Sequence, residues 1–162
     1  MLDLIFITVF LSFPEFVLDL MIGLSLCNIK VSLKKILLVA FIQAFVAFFV
    51  WKIHIPFGLH NIIQKLICWI IVIIILEIKF YKAIVPVLIG YFLDSIIQGI
   101  FISSAGLFIE LDFNRLGVEF GYTLIYSLCI FIILSIILLI VKKTNFHFCD
   151  LSAEGEFIGE QK

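Results

Sequence analysis

The sequence predicts an all-α integral membrane protein: a bundle of five transmembrane helices with the N terminus outside and the C terminus in the cytoplasm. Of the 162 residues, 64% are hydrophobic and only 14% are charged, against about 25% charged in an ordinary soluble domain. The mean hydropathy is +1.30. A chain of this size lacks the polar surface that would cover so many apolar side chains in water, so we expect lipid to be its solvent.

Five stretches are long and apolar enough to cross a bilayer, whose core of ~30 Å requires about 20 residues of helix. They cover residues 4–27, 36–53, 61–78, 83–105 and 120–141. The first stretch has no basic segment before it and no small-residue cleavage site, so we interpret it as a retained span rather than a signal peptide. The expected organisation is a membrane domain over residues 1–141 and a short cytoplasmic tail over residues 142–162.

Lysine and arginine positions predict the orientation, because cytoplasmic loops carry an excess of both. With the N terminus outside, the cytoplasmic segments contain Lys30, Lys34, Lys35, Lys79, Lys82, Lys142, Lys143 and Lys162. The outer side has Lys52 and Arg115, with Lys65 near the outer boundary. The opposite orientation reverses this distribution, so N-out and C-in is favoured.

Polar side chains inside the apolar stretches predict a functional site, because an ionisable group at mid-membrane costs about 2.5–3.5 kcal/mol and usually faces the bundle interior. Glu15 and Asp19 are four residues apart and share a helix face, and Asp94 and Gln98 have the same spacing. We expect a polar chamber or ligand site, with the lysine as counter-ion, lined by Glu15, Asp19, Gln43, Lys65, Asp94 and Gln98. The alternative is that these side chains form hydrogen bonds between helices and only hold the bundle together.

Two further features of the spans concern packing. Ser95, Gly99 and Ser103 follow one another at intervals of four, and small residues at this spacing let a neighbouring helix approach closely. The fourth span is therefore the expected central packing helix. Pro14 has no N–H to donate, which favours a kink beside Glu15.

The stretch "WKIHIPFGLHNIIQK" is interpreted as an outer turn between the second and third spans, formed around His54, Pro56, Gly58 and His60. The two histidines are six residues apart, which is not a spacing typical of metal ligands, and no metal or other cofactor is expected. His60 and Cys68 are a His/Cys pair of the kind that membrane peptidases use. Their eight-residue separation is about 12 Å of helix rise, so direct contact requires a break in the helix. The four cysteines occur singly and predict no disulfide framework.

Residues 51–101 resemble the N-terminal membrane module of Firmicute sensor histidine kinases. These modules have an outer motif of the form P-x-P-F-G-[IV]-H-T-[IL], which Pro56, Phe57, Gly58, His60 and Ile62 match. The sequence departs from it at His54, Leu59 and Asn61. The resemblance implies a sensor in a bacterial plasma membrane. The kinase domains of that family, with their phosphoacceptor histidine and glycine-rich ATP boxes, do not occur in the sequence, so no phosphorylating activity is expected.

The leading functional interpretation is a multi-pass receptor-like or regulatory signalling module, without catalytic activity, that acts on a separate cytoplasmic partner or on another copy of itself. Its acidic end, with Glu154, Glu156 and Glu160, is a candidate docking segment. A substrate-binding membrane subunit of a transporter is the alternative, and a membrane peptidase is the third. A nucleic-acid partner is not expected, because no basic face accumulates enough cations to follow a phosphate backbone.

Overall fold

The structure, a computed structural model, describes residues 2–52, 59–108 and 120–151. All regular secondary structure in these ranges is helical, and the helices are α1 (Leu2–Leu26), α2 (Leu33–Lys52), α3 (Leu59–Leu76), α4 (Phe80–Phe108) and α5 (Phe120–Thr144). The all-helical prediction is confirmed. Each helix begins and ends within three residues of an apolar stretch identified in the sequence.

Four of these helices contain an apolar segment long enough to cross a membrane: Val9–Leu26, Leu33–Val50, Phe80–Ser104 and Leu124–Thr144. The corresponding segment of α3, Ile62–Leu76, is shorter. Length and composition in the described residues are therefore compatible with a membrane protein that has at least four spanning helices.

Three helices end at a residue with left-handed backbone conformation. Asn28 follows α1 with a φ of 53°, Glu77 follows α3 with a φ of 57°, and Asn145 follows α5 with a φ of 49°. A residue in this conformation directs the chain out of the helix. Asparagine adopts it more readily than most residues, so the sequence itself favours the ends of α1 and α5.

The central helix is α1, which packs against α2, α4 and α5, whereas α4 packs mainly against α1 and α3. This corrects the expectation that the fourth span is central. The α1–α4 contact depends on two glycines, because a Cβ on Gly23 would collide with the Pro86 carbonyl oxygen and a Cβ on Gly90 would collide with the Asp19 carbonyl oxygen. The two backbones therefore touch directly at this crossing.

The small residues Ser95, Gly99 and Ser103 are all exposed, and a Cβ built on Gly99 meets no atom within 4 Å. Each lies one position, about 100° around the helix, from the edge that carries Asp94 and Gln98. That edge faces α1, so the small residues face outward. Among the residues that the structure describes, these small residues do not form the close helix approach that they led us to expect.

Apolar side chains form two buried clusters on either side of α1. One joins α1 to α2, α3 and α4 and includes Leu24, Val39 and Val72. The other joins α1 to α5 and includes Ile22 and Ile130. The outer faces of the helices expose Ile, Leu and Phe side chains along their length, which is the surface that a lipid environment favours.

Candidate functional site

The candidate site is the polar cluster, defined as Glu15, Asp19, Gln43, Lys65, Asp94 and Gln98. Within this cluster, the side-chain amide of Gln98 joins α1 to α4. Gln98 Nε2 lies 2.7 Å from Glu15 Oε1 and 3.0 and 2.9 Å from the two carboxylate oxygens of Asp94. An amide nitrogen has two hydrogens to donate, so Gln98 shares them between carboxyl groups on two helices. The i, i+4 spacing of Asp94 and Gln98 thus places both side chains toward Glu15.

Lys65 approaches the cluster from α3. Its Nζ lies 4.5 Å from the ring centroid of Tyr91 and 5.3 Å from that of Phe16, both within the range of a cation–π interaction. Lys65 also lines the same cavity as Asp19 and Gln43. The ammonium group of Lys65 is thus held by aromatic faces on α1 and α4 and forms no ion pair with a carboxylate of the described residues. Its role as a counter-ion stays a prediction.

A cavity of about 20 Å³ lies beside the cluster, and its walls include Asp19, Gln43, Lys65, Cys68 and Tyr91. Its volume is about that of one water molecule. The Asp19 side chain is only 7% exposed, and neither of its carboxylate oxygens has a hydrogen-bond partner among the described residues. The same holds for Gln43 Oε1. Buried acceptors of this kind are costly unless something donates to them, and the cavity offers space for one small donor beside them.

The amide nitrogen of Gln43 joins α2 to α3. Gln43 Nε2 donates to the backbone carbonyl of Gln64 at 2.9 Å. Gln64 is itself buried, and its Nε2 has no partner among the described residues. The sequence analysis did not identify Gln64, although a polar residue beside Lys65 in an apolar stretch was a signal for it. Phe16 and Tyr91 were also missed, because aromatic residues in a membrane helix are ordinary packing residues in most cases.

No known protein family, curated protein or solved structure matches the chain. The site is therefore interpreted from its own geometry. Within the described residues, no three His, Cys, Asp or Glu side chains are grouped so that they could hold a metal ion. The chemistry available to the polar cluster is proton exchange and hydrogen bonding, from three carboxyl groups, two amides and one ammonium group.

Most residues of the predicted outer turn, and the acidic residues of the C-terminal end, fall outside the described ranges. His54, Pro56 and Gly58 lie outside the described residues, as do Glu154, Glu156 and Glu160. His60 belongs to α3, but its side chain is also outside the described part. The helix is continuous from Leu59 to Leu76, so positions 60 and 68 are separated by about 12 Å of helix rise.

A second structured region, the tail segment (residues 145–151), is bound to the end of α1. The backbone N–H groups of Phe148 and Cys149 both donate to the carbonyl of Leu26, at 2.7 and 3.2 Å, and that of Leu151 donates to the carbonyl of Cys27 at 3.1 Å. The last carbonyls of a helix have no partner within the helix. The tail segment supplies donors to them.

Side chains strengthen this attachment. Asn28 Nδ2 donates to Asp150 Oδ1 at 3.1 Å, and the buried Lys82 donates to the Leu151 carbonyl at 3.0 Å. The sulfur atoms of Cys27 and Cys149 lie 3.2 Å apart. No sequence pattern predicts this contact, because backbone pairing between segments more than 100 residues apart leaves no local pattern. Two cysteines that occur singly in the sequence are therefore neighbours in the fold.

Proposed function

We propose that the protein is a receptor-like signalling module of a bacterial plasma membrane, with five spanning helices, the N terminus outside and the C terminus in the cytoplasm. In this proposal the polar cluster receives the signal, and the tail segment transmits it to a separate cytoplasmic partner. The protein itself catalyses no reaction. The resemblance to the membrane modules of sensor kinases supports the same interpretation.

The distribution of lysines supports the orientation. One end of each of the five helices lies at the same end of the bundle. Three contacts show this: Lys35 with Glu77, Lys82 with Leu151, and Asn28 with Asp150. The described lysines at this end are Lys30, Lys34, Lys35, Lys79, Lys82, Lys142 and Lys143. A lysine-rich end is typical of the cytoplasmic side.

One observation supports the proposed mechanism: α1 contributes residues to the polar cluster and also binds the tail segment at its C-terminal end. Glu15 and Asp19 belong to the polar cluster, and Leu26, at the end of the same helix, accepts the hydrogen bonds of the tail segment. Asp19 and Leu26 are seven residues apart, a rise of about 10 Å. Because a helix transmits displacement along its axis, a change at the cluster reaches the tail without an intermediate element.

The proposed switch depends on the hydrogen bonds of Gln98. A proton or polar ligand that alters the charge of Glu15 or Asp94 changes how strongly Gln98 joins α1 to α4. The backbones of these helices are in contact at Gly23, so we expect α1 to shift relative to α4 as a unit. Such a shift moves the Leu26 carbonyl, weakens its bonds to the tail segment and presents the tail to a partner.

Hydrogen–deuterium exchange of the full chain in lipid nanodiscs tests this coupling. Gln98→Leu removes the donor shared by Glu15 and Asp94, and we expect the amides of residues 148–151 to exchange about fivefold faster or more. Ser95→Leu, on the outward face of the same helix, is the matched control and is expected to leave the tail unchanged. Unchanged exchange in α2 shows that the bundle is still folded.

Equal tail exchange in the wild type and the Gln98→Leu variant, with α2 intact, would contradict coupling through α1. Glu15→Gln provides a milder test at the same contact, because the amide keeps an oxygen that can accept from Gln98. Its expected effect on tail exchange has the same sign and is smaller.

The orientation has its own test. A membrane-impermeant maleimide added to intact cells should leave Cys149 unmodified, and should modify it after the cells are opened. Modification of Cys149 in intact cells would contradict the C-in orientation. That result would not contradict the proposed coupling between the polar cluster and the tail segment.

A transporter subunit is the second candidate, and the cavity is the observation that favours it. Asp19 and Gln43 have buried oxygens without a hydrogen-bond partner among the described residues, and both line the small cavity, an arrangement also suited to a transported cation or proton. Asp19→Asn distinguishes the two functions: it should abolish cation-dependent uptake by a transporter, whereas a signalling module should show no such uptake in the wild type.

A further inference from the structure

A second, larger pocket lies between the ends of α1 and α5. It has a volume of about 180 Å³, and the polar residues around it are Ser25, Asn28, Lys30, Lys142, Asn145 and His147. It shares no residue with the polar cluster, and Ser25 lies six residues, about 9 Å of helix rise, beyond Asp19 along α1. Two lysines give the pocket a positive charge.

The side chains of two other polar residues at this pocket, His147 and Asn28, already have partners. His147 Nδ1 is 2.9 Å from the Ser25 carbonyl, and Asn28 Nδ2 donates to Asp150. The carbonyls of Leu24 and Leu26 accept backbone N–H groups. The carbonyls at the end of α1, which would repel an anion, are thus largely satisfied by the chain itself.

The two lysines, in contrast, are not neutralised. Within the described residues the only ion pair is Lys35 with Glu77, at 3.2 Å, so neither Lys30 nor Lys142 is paired with a carboxylate. Asp150 is the one described acidic side chain nearby, and it is hydrogen-bonded to Asn28. Two ammonium groups without a carboxylate partner thus line the same pocket, and an ammonium group donates readily to a phosphate oxygen.

Apolar surface continues from the pocket along the bundle. Leu139 is 67% exposed and lies one turn before Lys142 on α5, on the same face. Phe146 and Phe148, on either side of His147, are 58% and 74% exposed. Aromatic and apolar side chains next to lysines are typical of the membrane interface, the depth at which lipid headgroups meet acyl chains.

We infer that this pocket binds the anionic phosphate headgroup of a phospholipid, with Lys30 and Lys142 contacting the phosphate and the acyl chains lying along the exposed face of α5. The inference uses the membrane placement proposed above but does not depend on signalling. A free phosphate ion shares the headgroup chemistry but cannot use the apolar surface around Leu139, so the lipid is the expected occupant.

Native mass spectrometry of the full chain, released from detergent with added lipid, tests this inference. We expect the wild type to retain phosphatidylglycerol, whose headgroup is anionic, in preference to phosphatidylcholine, whose headgroup has no net charge. Lys30→Gln/Lys142→Gln should reduce retained phosphatidylglycerol at least fivefold. The control, Lys34→Gln/Lys143→Gln, makes the same change of charge at neighbouring exposed positions outside the pocket and should retain lipid as the wild type does.

Three results would overturn the inference: equal loss of lipid in the two double variants, no preference for phosphatidylglycerol, or displacement of the lipid by inorganic phosphate at millimolar concentration. The first would show attraction by overall charge, and the last would show that the pocket recognises phosphate alone. Lys30→Arg/Lys142→Arg should restore retention. Tail exchange in the Lys30→Gln/Lys142→Gln variant is a separate readout, so failure of lipid binding and failure of the signalling proposal are distinguishable.

Discussion

The helices α1 and α4 look alike in sequence but have different roles in the fold. Each contains a proline, a glycine at the helix crossing, and two polar residues at i, i+4, Glu15 and Asp19 in one and Asp94 and Gln98 in the other. Yet α1 is enclosed by three helices, while α4 exposes much of one face. In an apolar chain, hydropathy does not separate a buried face from a face in contact with lipid. Glycines and polar groups mark the buried side only where a partner helix is present.

The largest expected effect comes from the glycines, which distinguish the enclosed face from the outward face. Gly23→Ala should destabilise the protein by about 2–3 kcal/mol or more, because the added methyl group collides with backbone rather than with a movable side chain. Gly99→Ala should stabilise it, by up to about 1 kcal/mol, because alanine favours helix and the space is open. Reversible unfolding in SDS measures both. Equal effects would show that the α1–α4 contact is misplaced.

A smaller effect is expected for the amide that joins the two helices. Gln98→Leu removes the donor of Glu15 and Asp94, and hydrogen bonds between membrane helices contribute about 0.6 kcal/mol on average and at most about 1.7 kcal/mol. We expect a loss of about 1–2 kcal/mol in the same unfolding measurement. Ser95→Leu should change stability by less than about 0.5 kcal/mol, the usual range for an exposed position. A larger loss for Ser95→Leu than for Gln98→Leu would reverse the assigned faces of α4.

Among substitutions in the polar cluster, the smallest loss of stability should come from Asp19→Asn. Neither oxygen of Asp19 accepts a hydrogen bond from a described residue, so the substitution removes none of these bonds and should cost less than about 1 kcal/mol, the typical value of one bond. Asp94→Asn replaces one of two oxygens near Gln98 and should cost more. A loss for Asp19→Asn as large as that for Asp94→Asn would contradict the placement of Asp19 at the cavity.

The sequence predicted the positions of the helices well, because five apolar stretches separated by charged segments leave little choice of boundaries. It also predicted that Glu15, Asp94 and Gln98 belong together, since buried polar groups in a membrane protein have few partners other than one another. That these residues bind a ligand remains a prediction. The order of packing could not be predicted, because α1 and α4 both carry polar residues and glycines in apolar surroundings, and the glycines that meet at the crossing, Gly23 and Gly90, lie on different helices.

The tail segment was beyond prediction for another reason. Its attachment is made mostly by backbone N–H groups and the carbonyls of Leu26 and Cys27, which every residue possesses. No residue type therefore signals it. The nearest sequence signal was Asn28, a residue that favours the left-handed conformation seen there and so marks where α1 ends.

The contact between Cys27 and Cys149 gives the most direct test that α1 supports the tail segment. Cys27 is fully buried and Cys149 is partly exposed, with their sulfur atoms 3.2 Å apart. Isolated membranes treated with the thiol oxidant diamide and analysed by peptide mass spectrometry without reduction should yield a Cys27–Cys149 linked peptide as the main cross-link. If Cys149 instead remains free or pairs with Cys68 or Cys129, the tail segment does not lie on the end of α1, and the proposed path from the polar cluster to the tail fails.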